Sequence, residues 1–113
     1  MTNEAAVADH PLTTLRAIPR AAWPRRGDKV VYFVGRPDGA IKIGRTADMP
    51  QRMQHLNREN DAGIQVWATV PGNNLDEFIF HWRFADDRIG GEWFRPSPDL
   101  VEFIATLFTG GAA

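Results

Sequence analysis

The chain contains no cysteine, and this absence removes several kinds of chemistry at once. Disulfide bridges, thiolate nucleophiles and cysteine-ligated zinc sites are all excluded. No apolar stretch approaches the roughly 18 residues that a membrane span needs. Residues 1–9 also lack the basic start and the apolar stretch of a signal peptide. We therefore expect a cytoplasmic protein that is neither secreted nor inserted into a membrane.

Net charge is nearly absent too, but the charged residues are segregated along the chain. The 13 basic and 14 acidic side chains give a formal charge of -1. Residues 29–58 hold six basic and two acidic side chains, whereas residues 59–113 hold three basic and nine acidic ones. This asymmetry permits a basic surface for a polyanion, but charges that are separate in sequence also mix on folding. The charge pattern alone leaves both interpretations open.

The chain divides into an N-terminal arm over residues 1–28 and a folded domain over residues 29–109. The arm holds three prolines and little periodicity, so it either packs over the core through Trp23 or stays mobile. Val30 to Val34 have the β-branched and aromatic composition of a strand, and Pro37 to Gly39 supply a turn. The alternating sequence from Ile41 to Gly44 predicts a second strand that returns antiparallel to the first.

The remaining pattern predicts three helices and a third strand. One helix is expected from Asp48 or Met49 to Asn60, and a strand from Ile64 to Val70. A second helix is expected from Asn74 to about Arg88. Its predicted core stripe consists of Leu75, Phe78, Ile79 and Trp82. Glu92 to Phe94 form either a short strand or a packed loop, and Ser97 caps a last helix. The predicted class is α+β, a three-stranded antiparallel sheet flanked by helices in the order β-β-α-β-α-(β)-α.

Single polar residues interrupt these elements at places where chemistry is possible. Tyr32, the only tyrosine, lies within the first strand, and Lys42 lies on the opposing strand. Arg52 lies on the first helix, while Glu77 and His81 stand one turn apart on the second. Each residue also has an ordinary explanation as a rim tyrosine, an edge lysine or a surface ion pair. Taken singly, each is more often structural than functional.

Together, these residues and four short motifs resemble the GIY-YIG nuclease superfamily over about residues 29–105. The motifs are Val31-Tyr32-Phe33, Ile41-Lys42-Ile43-Gly44, Arg52-Met53, and a downstream set of His81, Phe84, Arg88 and Gly91-Glu92-Trp93-Phe94. The closer resemblance is to short phage and bacterial proteins that have lysine in place of the second tyrosine. The chain departs from related restriction enzymes at Arg45, where those enzymes have a histidine.

The resemblance implies a metal-dependent DNA endonuclease that uses one Mg²⁺ or Mn²⁺ ion. Glu77 is the implied metal ligand, with Glu92 as a second choice, and Arg52 is the implied phosphate ligand. Tyr32 is expected to assist the attacking water, with Lys42 and Arg52 lowering the pKa of the phenol. His81 is expected to assist the leaving oxygen or to bind Glu77. The expected DNA-binding residues are Arg36, Arg45, His55 and Arg88.

Two other interpretations remain at this point. The first is a nucleic-acid-binding module of the same fold without catalysis, favoured by Lys42 and Arg45 at positions where the resembled enzymes have tyrosine and histidine. The second is a protein-interaction domain with exposed aromatic residues. For the enzyme, we expect DNA as partner, no membrane, and a homodimer or another protein to supply sequence recognition. Such a protein is expected in the cytoplasm or associated with the nucleoid.

Overall fold

The computed structural model describes residues 15–112, with side chains described over residues 15–107. Its centre is one sheet of five strands in the order β3-β1-β2-β5-β4, with every neighbouring pair antiparallel. The strands are β1 (Val30–Gly35), β2 (Ile41–Thr46), β3 (Gln65–Pro71), β4 (Arg88–Gly90) and β5 (Trp93–Phe94). The helices are α1 (Met49–Glu59), α2 (Asn74–Arg83) and α3 (Pro98–Ala112). The α+β class is therefore confirmed.

The prediction of a three-stranded sheet is only partly correct, because β4 and β5 extend the sheet beyond β2. The short strand considered at Glu92 to Phe94 is present as β5, whereas β4 was not predicted. These two strands have only three and two residues, which is too short for an alternating pattern to appear in the sequence. Their pairing also shortens the second helix. Arg88 lies opposite Phe94 in the sheet, so α2 ends at Arg83 rather than near Arg88.

Local capping explains where the helices begin. The Asp48 side chain accepts a hydrogen bond from the Gln51 amide at the start of α1. At α2 the cap is Asn73, one residue before the predicted one, and a capping box joins it to Asp76. The Ser97 hydroxyl accepts from the Leu100 amide at the start of α3, as the sequence predicts.

The sheet has an apolar core on each face. Helix α1 covers one face, where Met49, Met53 and Leu56 pack against Tyr32 and neighbouring strand residues. Helices α2 and α3 cover the other face. The buried residues of that second core are Val31, Phe33, Ile41, Ile43, Ala68, Phe84, Phe94, Leu100, Val101 and Ile104.

Helix α2 turns the opposite way from the prediction. Its expected core residues are exposed, with exposed fractions of 63% for Leu75, 65% for Phe78, 48% for Ile79 and 75% for Trp82. The helix instead packs through Phe80, which makes edge contacts with Phe33 and lies beside Phe103. Apolar periodicity identified the helix correctly but assigned the wrong face to the core.

The described part of the N-terminal arm lies against the sheet. The Ile18 amide donates to the Val66 carbonyl on edge strand β3, and the Trp23 indole donates to the Ile18 carbonyl. Ile18 and Trp23 both pack on the core under α1, while Leu15 packs on the opposite core. The rest of the predicted arm, residues 1–14, lies outside the described residues.

The Tyr32 ring lies across Gly44, its partner on the neighbouring strand. A Cβ atom placed on Gly44 would collide with the phenol oxygen and with Cζ of the ring. Glycine at position 44 therefore lets a large side chain cross β2 while remaining in the sheet. Lys42 lies two residues before Gly44 on the same face of β2, so the register allows both side chains to emerge together.

We predict that Gly44→Ala lowers the free energy of unfolding by about 1–3 kcal/mol, since the Tyr32 ring must leave its position. Chemical denaturation measures this change. The matched control is Gly90→Ala, because a Cβ atom at Gly90 meets no heavy atom within 4 Å. Equal stability of the two variants would contradict the packing of Tyr32 on Gly44.

Candidate functional site

The candidate site lies at the edge of β2 where strand β5 stops. Strand β5 pairs with β2 only at Ile41 and Lys42. The next residue, Ile43, receives one contact from each side of this edge. Its amide donates to the Glu92 carbonyl at 3.0 Å, and its carbonyl lies 2.7 Å from His81 Nε2 on α2. Helix α2 and the residue before β5 therefore meet at the same point of the sheet.

Three potential metal ligands converge there, namely Glu77, His81 and Glu92. Their ligand atoms all lie within 4.8 Å of one another, and all three residues are partly buried. Glu77 and His81 stand one helical turn apart on α2, so their side chains emerge on the same side of the helix. Glu92 enters from the turn between β4 and β5. This cluster of three residues is called the acidic cluster below.

A hydrogen bond to the sheet holds His81 in place. The Ile43 carbonyl has only lone pairs to offer, so His81 Nε2 carries the proton and donates it. A neutral His81 in this tautomer leaves Nδ1 as the nitrogen with a free lone pair. The imidazole also contacts Phe94 edge to face, with ring centres 5.1 Å apart. Orientation by a backbone carbonyl is the common arrangement for a metal-binding histidine.

Basic side chains neutralise both carboxylates of the acidic cluster. Lys42 Nζ lies 3.3 Å from a Glu92 oxygen, and Arg45 Nε lies 3.6 Å from a Glu77 oxygen. Lys42 therefore pairs with Glu92, whereas the sequence placed it as the partner of the Tyr32 phenol. The side chain of Glu77 is only 16% exposed and that of Glu92 is 40% exposed.

Burial raises the pKa of Glu77, and the neighbouring Glu92 carboxylate raises it further. His81 and Arg45 act in the opposite direction but do not cancel the increase. Two carboxylates this close repel each other when both are charged, which a bound cation would relieve. Raised carboxyl pKa values of this origin are common at functional sites.

Tyr32 and Arg52 approach the acidic cluster from the face covered by α1. The pKa of Tyr32 is raised, first because the side chain is buried and further because of the Glu92 and Glu77 charges. Arg52 lowers it, but not enough to compensate. The pKa of Tyr32 is therefore raised rather than lowered as expected, since desolvation outweighs the effect of Arg52. Lys42, the other expected cation, pairs with Glu92 instead. Among the described residues, the Arg52 guanidinium has no ion pair or side-chain hydrogen bond, so it is available to a ligand.

The predicted DNA-binding residues differ in how close they lie to the acidic cluster. Arg45 contacts it directly through Glu77, and Arg88 lies in the same groove and donates to the Gly91 carbonyl at 2.8 Å. Arg36 stacks on the Trp93 ring at 4.3 Å and is paired with Asp38. His55 lies on α1, and over residues 15–107 it makes no hydrogen bond or ion pair with the cluster.

The acidic cluster opens into a groove of about 640 Å³. Its lining residues are Asn74, Leu75, Glu77, Phe78, His81, Arg88, Gly91 and Glu92. A second groove, of about 740 Å³, lies between α2 and α3, and its lining includes one arginine and the four carboxylates of Asp86, Asp87, Asp99 and Glu102. Phosphate would be repelled there, so the first groove is the better candidate for a nucleic-acid ligand.

Sequence reasoning placed Glu92 second among the possible ligands and expected it to bind local backbone. Its carboxylate in fact completes the acidic cluster and binds Lys42. The pairing of β5 with β2 brings residue 92 beside Ile43, and this pairing was not predicted from the sequence. No spacing rule along the chain shows that contact, because 49 residues separate Ile43 from Glu92 in the sequence.

The donor atoms of the acidic cluster suit a small divalent cation. Two carboxylates and one imidazole form a mixed oxygen and nitrogen set, which Mn²⁺ accepts more readily than Mg²⁺ does. Ligand atoms 4.8 Å apart or less need only small side-chain rotations to share one ion. The residues present therefore fit a metal, with two protein oxygens rather than the single one expected.

The sequence model of the T5orf172 domain matches residues 29–108. The match covers most of the chain, which therefore belongs to the T5orf172 family. This family is a nuclease-like, DNA-binding one, and DNA is the class of partner consistent with it. No curated protein and no solved structure is significantly similar to the chain. No helix within residues 15–112 has the length and hydropathy needed to cross a membrane.

The family match corrects the resemblance drawn from short motifs. The T5orf172 family is distinct from the GIY-YIG family, and no GIY-YIG family model matches the chain. Tripeptides such as Val31-Tyr32-Phe33 are common in buried strands. Their order along the chain is therefore weak evidence for a particular family. The coarse conclusion of a nuclease-like domain survives the correction, because it is a property of the T5orf172 family itself.

We predict that Tyr32 ionises well above the usual pKa of 10.0 for a tyrosine. The chain has one tyrosine, so the ultraviolet absorbance of tyrosinate reports this residue alone. Because the folded pKa is raised, the unfolded chain loses its phenolic proton first. The stability that Tyr32 contributes is therefore complete below pH 10 and is lost as the pH rises further. Ionisation at the usual pKa without unfolding would contradict the burial of the phenol.

We predict that Glu77→Gln raises the free energy of unfolding at pH 7. The folded state raises the pKa of Glu77, so its charge at pH 7 opposes folding, and glutamine removes that charge without changing the shape. The lost ion pair with the half-exposed Arg45 costs little. Denaturation at pH 7 measures the difference, and Glu102→Gln, at an exposed position of α3, is the control. A large loss of stability in Glu77→Gln would contradict this reasoning.

Proposed function

We propose that this member of the T5orf172 family is a metal-dependent DNA endonuclease that hydrolyses phosphodiester bonds at the acidic cluster. The observation that carries the proposal is the convergence of Glu77, His81 and Glu92 within 4.8 Å. Cationic side chains surround this convergence, as a phosphate substrate requires. The raised pKa of the Glu77 carboxyl and the open groove add to this support.

Glu77, Glu92 and Nδ1 of His81 would hold the metal in this proposal. A divalent cation there supplies Lewis-acid stabilisation of the negative charge that develops on the phosphate. Because Lys42 and Arg45 bind the same carboxylates in the free protein, they would be released toward the phosphate when the cation binds. Metal affinity without DNA is then expected to be weak.

Arg52 would bind the scissile phosphate through its planar guanidinium. Two parallel hydrogen bonds to non-bridging oxygens would strengthen as charge develops on them. Tyr32 takes a different role from the base that the sequence suggested. Its raised pKa keeps the hydroxyl protonated, so we assign it as a hydrogen-bond donor that orients the attacking water. Glu92, the more exposed of the two carboxylates, would accept the proton of that water on the oxygen that does not hold the cation. As the P–O bond breaks, the leaving oxygen would take up a proton, so the step balances.

One observation favours DNA binding without catalysis as the second candidate. Lys42 and Arg45 already occupy the two carboxylates, and such ion pairs compete with a metal. The same cations would hold a phosphate backbone, with an affinity that falls steeply as salt increases. The two candidates differ in what happens to the bound DNA, which one assay can separate.

We predict that the protein nicks supercoiled plasmid with Mn²⁺, and more slowly with Mg²⁺. Glu77→Gln should lower the nicking rate at least about 100-fold, and Arg52→Lys about 10- to 100-fold, since an ammonium cannot form the paired hydrogen bonds. Tyr32→Phe should also be impaired. Glu102→Gln, the same change in the other groove, should retain full activity. Agarose gels of the plasmid forms give the rates.

The same variants separate the alternatives. A folded protein that shifts the plasmid but never nicks it, with either metal, would leave the binding module as the function. Nicking at full rate by Glu77→Gln would overturn the acidic cluster as the metal site. Titration calorimetry with Mn²⁺ gives an independent measure, because the heat of binding should vanish in Glu77→Gln and persist in Glu102→Gln.

A further inference from the structure

Helix α2 presents an apolar stripe to solvent on the side away from the sheet. The stripe consists of Leu75, Phe78, Ile79 and Trp82, all between 48% and 75% exposed. These residues follow the spacing i, i+3, i+4, i+7 that helices use to pack against one another. Within residues 15–107 they account for four of the five large hydrophobic side chains that are exposed. Such concentration of apolar surface on one helix indicates a contact with another protein surface.

The stripe is self-complementary when it packs against a second copy of α2 that runs antiparallel to the first. An antiparallel pair centred between Phe78 and Ile79 places Phe78 opposite the second copy's Ile79. The same register places Leu75 opposite the second copy's Trp82. A large aromatic side chain then always meets an aliphatic one, which allows close packing without a steric clash between like residues.

The charges beside the stripe are also complementary under this arrangement. Asp76 lies in the first turn of α2 and Arg83 in the last, and the helical positions put both on the same flank of the stripe. A twofold axis across the helix pair keeps that flank on the same side, so Asp76 lies near the second copy's Arg83. Asp76 also accepts a hydrogen bond from the Asn73 amide, and the Arg83 guanidinium lies over the Phe103 ring of its own copy at 4.4 Å. Antiparallel helix dipoles add a further favourable interaction. A parallel pair would instead bring like charges together.

We propose that α2 forms the interface of a twofold homodimer in which two copies of the helix pack antiparallel. The proposal stands on the exposure, the spacing and the charges of the stripe, and not on catalysis. The contact is short, since ten residues span about 15 Å, so the dimer dissociates on dilution.

The dimer would also arrange the two acidic clusters, a consequence that rests on the proposed function. Glu77 and His81 lie on the flank of α2 opposite Asp76 and Arg83. Both clusters therefore face the same side of the dimer, related by the same twofold axis. The strands of a DNA duplex are related by twofold axes too. A dimer of this form would present one cluster to each strand.

Sedimentation equilibrium over a range of protein concentrations tests the dimer. The full chain should pass from monomer to dimer as concentration rises. Phe78→Asp should weaken association at least about 30-fold, which is typical for loss of a central anchor. This variant should remain folded by circular dichroism, since Phe78 is 65% exposed. Thr106→Asp, which adds the same charge at an exposed position of α3, should associate normally. A chain that stays monomeric, or a dimer unaffected by Phe78→Asp, would overturn the proposal.

The absence of cysteine makes the helix direction testable by cross-linking. In the antiparallel dimer, Ile79→Cys should form a disulfide with its own copy, because position 79 lies next to the twofold axis. Leu75→Cys and Trp82→Cys should not cross-link separately, but a mixture of the two should cross-link across the interface. Self-cross-linking at positions 75 and 82 would show a parallel pair and overturn the proposal. These outcomes do not depend on nuclease activity, so the dimer and the proposed function fail or succeed separately.

Discussion

The orientation of α2 on the sheet rests on the hydrogen bond between His81 Nε2 and the Ile43 carbonyl, together with the packing of Phe80. The hydrogen bond fixes the side of the helix that faces β2, and Glu77, one turn earlier, necessarily faces the same way. Phe80 then meets the aromatic residues of the core beneath. Because His81, Glu77 and Phe80 face the sheet, the apolar stripe on the opposite side of the helix faces solvent. The acidic cluster and the exposed stripe are therefore two results of a single orientation.

That orientation has an energetic cost, which the cluster reveals. Glu77 is largely buried beside a second carboxylate, and its raised pKa shows that the charged form is disfavoured there. Lys42 and Arg45 reduce the cost by pairing with the two carboxylates. Partly buried charges that a fold does not need for stability are typical of sites that bind a ligand.

The recognition of a protein family depends on longer patterns than the motifs that first suggested one. Strand-like tripeptides occur wherever a buried strand requires alternating β-branched and aromatic residues. The T5orf172 match extends over residues 29–108 and therefore samples turns, caps and helix faces as well as strands. This match corrects the family that the motifs suggested, but the coarser prediction of a nuclease-like domain is unchanged.

Local physics determined much of this protein from its sequence alone: the hairpin of β1 and β2, the presence of three helices, and the cap at Ser97. These features depend on residues close together in the chain, whose preferences a reader of the sequence can assess. Only the tertiary structure decided the pairing of β5 with β2, which delivers Glu92 to the cluster, and the direction in which α2 faces. A helix with Phe80 and Phe84 on one side and Leu75 and Trp82 on the other has two apolar faces. Which of those faces is buried depends on the apolar surface that the rest of the fold presents to the helix.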